Sequence, residues 1–229
     1  MNENEKRITH NLQTVQEKIA CACQRAKRKT EAVNLVAVTK TVTCAEIEIL
    51  HQAGIKDFGE NRVQVALEKI NTLKHLALNW HLIGHLQRNK AKLAVPNFTL
   101  YHSVESLKLI ETMARLNESE QSPLEILLEI NISGETSKYG IQAANAKELL
   151  LQACKSNKLK VTGLMTMAPY STTPEDSRPY FRQLRQLRNE LSNETGLDLP
   201  HLSMGMSGDY EIAIEEGATI IRVGSALFY

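Results

Sequence analysis

The sequence predicts an α/β fold of one kind: an eight-stranded parallel (β/α) barrel of the TIM type. It spans residues 1–229 as a single domain, with an extra helix at the N-terminus. Three observations lead there. Eight short apolar runs, rich in β-branched residues, alternate with segments of helical periodicity. The spacing leaves no place for hairpins, so neighbouring strands must pair in parallel through right-handed crossovers. A length of 229 residues sits at the lower end of what eight such units need. An open doubly wound sheet is the competing arrangement. It usually has fewer strands and a Gly-rich turn after the first, and no G-x-G-x-x-G stands there.

The elements follow in order. Ile8, Leu12, Val15, Ile19, Ala22 and Ala26 recur at helical spacing, which makes 4–29 one long amphipathic helix. The first strand covers about 34–40 and contains the apolar run Leu35 to Val38. Thr43 with Glu46 three residues later has the pattern of a capping box, opening a helix over 44–53 that Gly54 ends. A second strand over 55–61 and a helix over 63–73 come next. The third strand is 79–85, and a short helix over 87–93 stops ahead of Val95-Pro96. Strands over 99–104 and 124–131 flank a helix over 106–117. A polar loop over 132–140 leads to a helix over 144–156, and the sixth strand is 159–167. Ser171 to Pro174 reads as a surface loop. The helix after it, within 174–195, carries Phe181, Leu184, Leu187 and Leu191 on one side. A strand over 201–206, a helix over 209–216 and a strand over 218–223 complete the eight units.

The totals fit a globular chain, with 42% apolar residues, 23% charged residues and a formal net charge of +1. That balance exerts no global pull on nucleic acid or an anionic membrane. The basic cluster Arg25 to Lys29 reads as a solvated helix face. No apolar stretch approaches the length of a membrane span. Cys21, Cys23, Cys44 and Cys154 lack the spacing and partners of a zinc knuckle, so no metal site is expected. With a polar N-terminus and no apolar leader they read as reduced thiols, and the chain as cytoplasmic.

In barrels of this class the functional groups sit at the C-terminal ends of the strands. Those ends are Lys40, Asn61, His85, Ser103, Asn131, 165–167, 203–207 and 222–225, and most are polar. Lys40 shares a strand face with Val36 and Val38. An amine ending an apolar face is costly unless it is paired, reaches water or is used covalently. Two roles stay open: a lysine that snorkels to solvent, or one whose burial frees the amine to form a Schiff base with an aldehyde. The last two strands end in Ser203-Met-Gly-Met-Ser-Gly-Asp209 and Arg222-Val-Gly-Ser-Ala226. The loops after strands seven and eight frequently form a phosphate site, and Ser207, Gly208, Gly224 and Ser225 suit it. Ordinary turn chemistry is the alternative. Arg222, on a buried strand, needs an acceptor: a carboxylate, or a cofactor's ring nitrogen or phosphate. Pyridoxal 5′-phosphate (PLP) meets all three demands, with an aldehyde for Lys40, a phosphate for the loops and a ring nitrogen for Arg222.

Motifs from the first strand to the C-terminus support a resemblance. They are Ala37-Val-Thr-Lys-Thr41, Phe58-Gly-Glu-Asn-Arg62, Trp80-His-Leu-Ile-Gly-His-Leu-Gln87, His102-Ser-Val-Glu-Ser106, Asn131-Ile-Ser-Gly-Glu135 with Lys138-Tyr-Gly140, Gly163-Leu-Met165, Leu202-Ser-Met-Gly-Met-Ser207 and Arg222-Val-Gly-Ser-Ala-Leu-Phe228. The chain resembles the pyridoxal phosphate homeostasis proteins, whose barrel is similar to the N-terminal domain of alanine racemase. The resemblance implies that Lys40 holds the cofactor as an internal aldimine. It implies that Ser207, Gly224 and Ser225 hold the phosphate, that Arg222 faces the pyridine nitrogen and that Asn61 lies near the ring oxygen. Met165 fits either a residue packed on the ring face or plain core. His81 and His85 match the motif but are assigned no cofactor contact, since a strand histidine is more often structural. Family members commonly carry glycine after the Leu-Phe pair, where this chain has Tyr229.

An arginine opposite the pyridine nitrogen disfavours its protonation and weakens the ring as an electron sink. The racemases that the chain resembles add a second domain and a second subunit, whereas seven residues follow Arg222 here. The expectation is a PLP carrier or buffer contributing to intracellular PLP homeostasis, with no catalytic residues, no nucleic-acid or membrane partner and a monomeric state. PLP-dependent apo-enzymes or a regulatory protein are its expected partners. The alternatives are a racemase-like PLP enzyme, with Lys40 as one base and His85 or Tyr139 as the other, and a cofactor-free enzyme acting on a phosphorylated sugar. Lys90 and Lys138 lie outside strand cores and are expected to face solvent.

Overall fold

The computed structural model describes residues 2–118, 122–135 and 138–229. The N-terminal half runs α1 (Glu3–Arg25), β1 (Asn34–Val38), α2 (Cys44–Gln52), β2 (Asp57–Glu60), α3 (Val63–Thr72), β3 (Asn79–Leu82), α4 (Ala91–Ala94), β4 (Leu100–Val104) and α5 (Leu107–Leu116). It continues with β5 (Leu124–Asn131), β6 (Ile141–Gln142), α6 (Ala146–Ala153), β7 (Leu159–Met165), α7 (Arg178–Thr195), β8 (His201–Ser203), α8 (Tyr210–Glu215), β9 (Ile220–Val223) and α9 (Ser225–Phe228).

The strands lie in the order β4-β3-β2-β1-β9-β8-β7-β5, and β4 pairs with β5 to close the ring. Every pairing is parallel, so this is the closed eight-stranded barrel that the alternation predicts. The two-residue β6 is an addition inside the expected polar loop, pairing only with the end of β5. At the seam the first strand meets the last, with Asn34 opposite Ile220 and Val36 opposite Arg222.

Alternation along each strand separates two apolar clusters. Val36, Leu100, Leu127, Met165 and Ile220 face inward from five strands and form a small cluster of their own. Their outward neighbours, such as Ala37, Tyr101, Ile126, Leu128, Leu164 and Ile221, join the larger core beneath the helices. The extra helix α1 buries Ile8, Leu12, Val15, Ile19 and Ala22, each large side chain contributing roughly 1.5–3 kcal/mol. An Asn2–Glu5 capping box starts it. It packs on α2, α8 and α9, and the Asn11 amide donates to the Leu227 carbonyl at 3.2 Å. The helix ends four residues earlier than its pattern, because Lys27 takes a left-handed φ of 53°. The basic cluster is therefore not one solvated face. Arg25 pairs with Glu211 and Glu215 at 2.9 and 2.6 Å, and Arg28 donates to the Ile214 carbonyl.

Most strands stop short of their predicted C-terminal ends, for reasons set by tertiary contacts. The Thr39 carbonyl goes to the Lys69 ammonium instead of a ladder partner. Gly84 presses against the backbone of Asn61, where a Cβ would lie 2.4 Å from the carbonyl oxygen. Gly205, at φ +91°, turns the chain after β8 so closely under α8 that a Cβ would lie 2.5 Å from Ala213 Cβ. The predicted helix over 87–93 is a 3-10 turn at Arg88–Lys90 followed by the single turn of α4.

Gly163 sets the β7–β8 distance, since a Cβ there would sit 1.9 Å from the His201 carbonyl oxygen. Gly163→Ala is expected to destabilise the fold by about 3 kcal/mol or more in urea unfolding. Gly208→Ala meets no atom within 4 Å and should stay within about 0.5 kcal/mol of the parent.

Candidate functional site

Lys40 stands two residues past β1, in a turn closed by the Val42 N–H on the Thr39 carbonyl. The burial that the Schiff-base role assumed is absent: Lys40 is exposed, as a lysine reaching solvent would be, because this turn carries it out of the strand. Among the described residues no hydrogen bond or ion pair engages its ammonium.

The backbone that presents Lys40 is held from behind. The Lys69 ammonium donates to the Thr39 carbonyl at 2.6 Å and to Glu60 Oε1 at 2.7 Å. The Thr39 hydroxyl donates to the same carboxylate oxygen at 2.7 Å. Glu60 and Thr39 are fully buried and Lys69 nearly so. This clamp was not assigned from the sequence. Its signal lay in Lys69, which falls on the buried face of α3 with Val63 and Ala66, and in Glu60, which ends a buried strand.

The loops after β8 and β9 converge on one hydroxyl. Ser207 Oγ accepts the N–H of Gly224 at 3.2 Å and of Ala226 at 3.3 Å. Gly224 lies against Val38 of β1, where a Cβ would approach the Val38 carbonyl oxygen to 3.3 Å. The Asp209 carboxylate shapes the first loop by accepting the Met206 N–H at 2.7 Å and the Ser177 hydroxyl at 3.0 Å. Ser225 opens the single-turn α9.

Arg222 is 4% exposed. Its guanidinium donates to Ser203 Oγ at 2.6 Å and to the Thr166 carbonyl at 3.1 Å. Among the described residues no carboxylate lies within ion-pair distance of it, so the carboxylate partner allowed by the sequence is not the one it has. Burial pulls its pKa down to about 10, against the fields of Glu129 and Asp209. Burial and the neighbouring Glu105 push the Glu129 carboxyl up to about 7, against the pull of Arg222.

Met165 is fully buried within the inward-facing cluster, so it floors the mouth as core. Asn61 is half-buried just past β2. At the rim, His85 pairs with Glu105 at 2.9 Å and stacks on Tyr139 with ring centroids 4.5 Å apart. Lys138 pairs with Glu135 at 3.0 Å. The Tyr229 hydroxyl reaches Thr41, next to Lys40, at 3.0 Å. Among the described residues no group of three or more His, Cys, Asp or Glu side chains could hold a metal, and no helix is long and apolar enough to cross a membrane.

The closed barrel, with a lysine after its first strand, an arginine on its last and two serine–glycine loops between, is the arrangement of a barrel of the alanine racemase N-terminal type. The sequence model described as alanine racemase, N-terminal domain, matches residues 4–229. A pyridoxal phosphate homeostasis protein from Aquifex aeolicus is 45% identical over 217 residues, 95% of each chain. An unknown protein from Bifidobacterium adolescentis superposes with a TM-score of 0.92 at 33% identity, covering 100% of this chain and 97% of that one. PipY of Synechococcus elongatus PCC7942, solved with PLP bound, superposes with a TM-score of 0.84 at 35% identity, covering 97% of this chain and 100% of that one. The chain belongs to the family of pyridoxal phosphate homeostasis proteins.

Lys69→Met leaves the Glu60 charge buried without its cation, and should cost about 3–5 kcal/mol in urea unfolding. The double variant Glu60→Leu/Lys69→Met should cost less than that. Glu129 gives a pH signature. Its folded value of about 7 lies above the ordinary 4.5, so the folded chain keeps a proton that the unfolded chain has lost. Stability should therefore fall as pH rises through this window, and Glu129→Gln should flatten that fall in denaturation series from pH 4.5 to 7.

Proposed function

We propose that the chain binds PLP covalently at Lys40 and contributes to intracellular PLP homeostasis as a carrier or buffer, handing the cofactor to apo-enzymes. The observation that carries this reading is the seam. Pairing of Val36 with Arg222 sets the strand that leads to Lys40, whose ammonium has no partner among the described residues, beside the strand of a buried arginine, and Gly224 lies against the same strand. When bound, PLP supplies an aldehyde carbon for an amine, a phosphate dianion and a ring nitrogen.

The residues present fit that group. Among the described residues nothing engages the Lys40 amine, where a structural lysine would be paired. Gly224 and Ala226 already direct their N–H groups to one oxygen, that of Ser207, and a phosphate asks the same of them. In this reading Ser207, Gly224 and Ser225 hold the phosphate. Arg222 meets the ring nitrogen, Asn61 lies near the ring oxygen and Met165 supplies an apolar floor. The support for carriage over catalysis is Arg222 itself. A second cation opposite the ring nitrogen disfavours its protonation, so the chain offers little stabilisation to a carbanion.

A second reading, a racemase-like enzyme, has one observation in its favour: the exposed His85–Tyr139 stack at the rim. The test separates the two. Protein loaded with PLP should show a visible absorption band that borohydride removes. Peptide mass mapping should then place the pyridoxyl group on Lys40, and Lys40→Ala should show no band. Absence of the band after loading, or a label on Lys90 or Lys138 instead, overturns the proposal. The α-deuteron of labelled alanine should be retained by the loaded protein. Its rapid loss to water would favour the enzyme.

A further inference from the structure

The barrel interior holds a line of polar side chains that the site described above does not use. Asp57 opens β2, at the opposite end of the barrel from the mouth. His81 Nε2 lies 2.9 Å from Asp57 Oδ1, and His81 Nδ1 lies 3.0 Å from His102 Nε2 on β4. His102 Nδ1 lies 2.8 Å from Ser203 Oγ, on β8 across the barrel, and Ser203 Oγ accepts from Arg222 at 2.6 Å. His81, His102, Ser203 and Arg222 are all buried.

Both ends of this line are chemically committed. A guanidinium can only donate and a carboxylate can only accept. Between them stand two imidazoles and a hydroxyl, and one arrangement gives every proton an acceptor. Arg222 donates to Ser203, the Ser203 hydroxyl donates to His102 Nδ1, His102 Nε2–H donates to His81 Nδ1, and His81 Nε2–H donates to Asp57. In the opposite direction Ser203 would receive two donors. Its own proton would then have no acceptor among the described residues.

We propose that Asp57, His81, His102 and Ser203 form a hydrogen-bond relay of fixed direction that positions Arg222 at the mouth from the far end of the barrel. Both ends fix the direction, Asp57 because it can only accept and Arg222 because it can only donate, and Ser203 is thereby an obligate acceptor for Arg222. The guanidinium is held in one orientation, with its remaining N–H groups free for a ligand. These four act through Arg222 and are positioning residues. That Arg222 faces a ring nitrogen rests on the PLP reading; the relay itself does not.

Other groups also face the relay. Burial holds His102 well below the ordinary histidine range, helped by His81, Arg222 and His201. His201 on β8 is itself lowered by burial. Asn79 and Asn34 flank Asp57, whose carboxyl stays below its ordinary value because hydrogen bonds, His81's first, outweigh burial. Glu129 and Asp209 act on Arg222.

Nitrogen-15 NMR of the imidazoles in the full-length chain tests the relay before any cofactor is added. The expected result is His102 protonated at Nε2 and bare at Nδ1. In Asp57→Asn the amide can donate as well as accept, so only Arg222 still opposes the reverse direction, and the opposite His102 tautomer should emerge as a minor population although the changed atom does not touch that ring. A purely structural Asp57 would leave the tautomer unmoved. In PLP-loaded protein, Ser203→Ala frees Arg222, and the pH midpoint of the bound chromophore's absorbance should rise. Thr162→Val, a buried hydroxyl outside the relay, should leave it in place. His102 protonated at Nδ1 in the parent, or an unchanged tautomer in Asp57→Asn, overturns the relay. A chain that shows the tautomer shift but takes no label at Lys40 retains the relay and loses the PLP reading.

Discussion

The pairing of β1 with β9 is the constraint on which the rest depends. It closes the sheet, so no strand of the ring is left with an open edge. It also fixes which residues share the mouth. With Val36 opposite Arg222, the turn that follows β1 must rise beside the loop that follows β9. The chain then invests in that register. Gly224 allows the loop to lie on Val38, Ser207 ties it to the loop after β8, and α1 packs across α8 and α9 behind it. None of these contacts is local in sequence, so each exists only once the ring is closed.

The barrel separates two kinds of interior. The shell between strands and helices is a broad apolar core, which contributes stability and little else. The space inside the ring has a small apolar cluster and a set of polar groups: Asp57, His81, His102, Ser203, Glu129 and Arg222. Buried polar groups are tolerable only when each finds a partner. That demand makes their positions mutually dependent, and it is a source of rigidity where a ligand would need it. Outside the ring the Glu60–Lys69 pair follows the rule only in part: Glu60 Oε1 takes the Lys69 ammonium and the Thr39 hydroxyl, while the buried Oε2 has no hydrogen-bond partner among the described residues.

Much of this was legible in the sequence because it follows from periodicity. Alternation of apolar runs with helical spacing identified all eight barrel strands, and the polar strand ends marked the mouth. Lys40, Ser207, Arg222, Gly224 and Ser225 were nominated by type and place. What sequence could not show was determined by partners far along the chain. Lys40 was placed on the first strand, yet the clamp that ends β1 early comes from Glu60 and Lys69. His81 read as a structural strand histidine and His102 received no role, and the barrel brings His102 of β4 to Ser203 of β8. A carboxylate was one of the acceptors considered for Arg222, whereas a hydroxyl and a carbonyl serve within the chain.

Closure also has a consequence for how the chain is made. The edge of β1 waits for Ile220–Val223, far along the chain, so the ring is closed by a contact of high sequence separation. A ribosome delivers Lys40 well before Arg222. Until then the nascent sheet has two unpaired edges, each a template for another strand. Assembly of the mouth thus waits for β9, and a chain that stops short of Ile220–Val223 has Lys40 without the strand that carries Arg222.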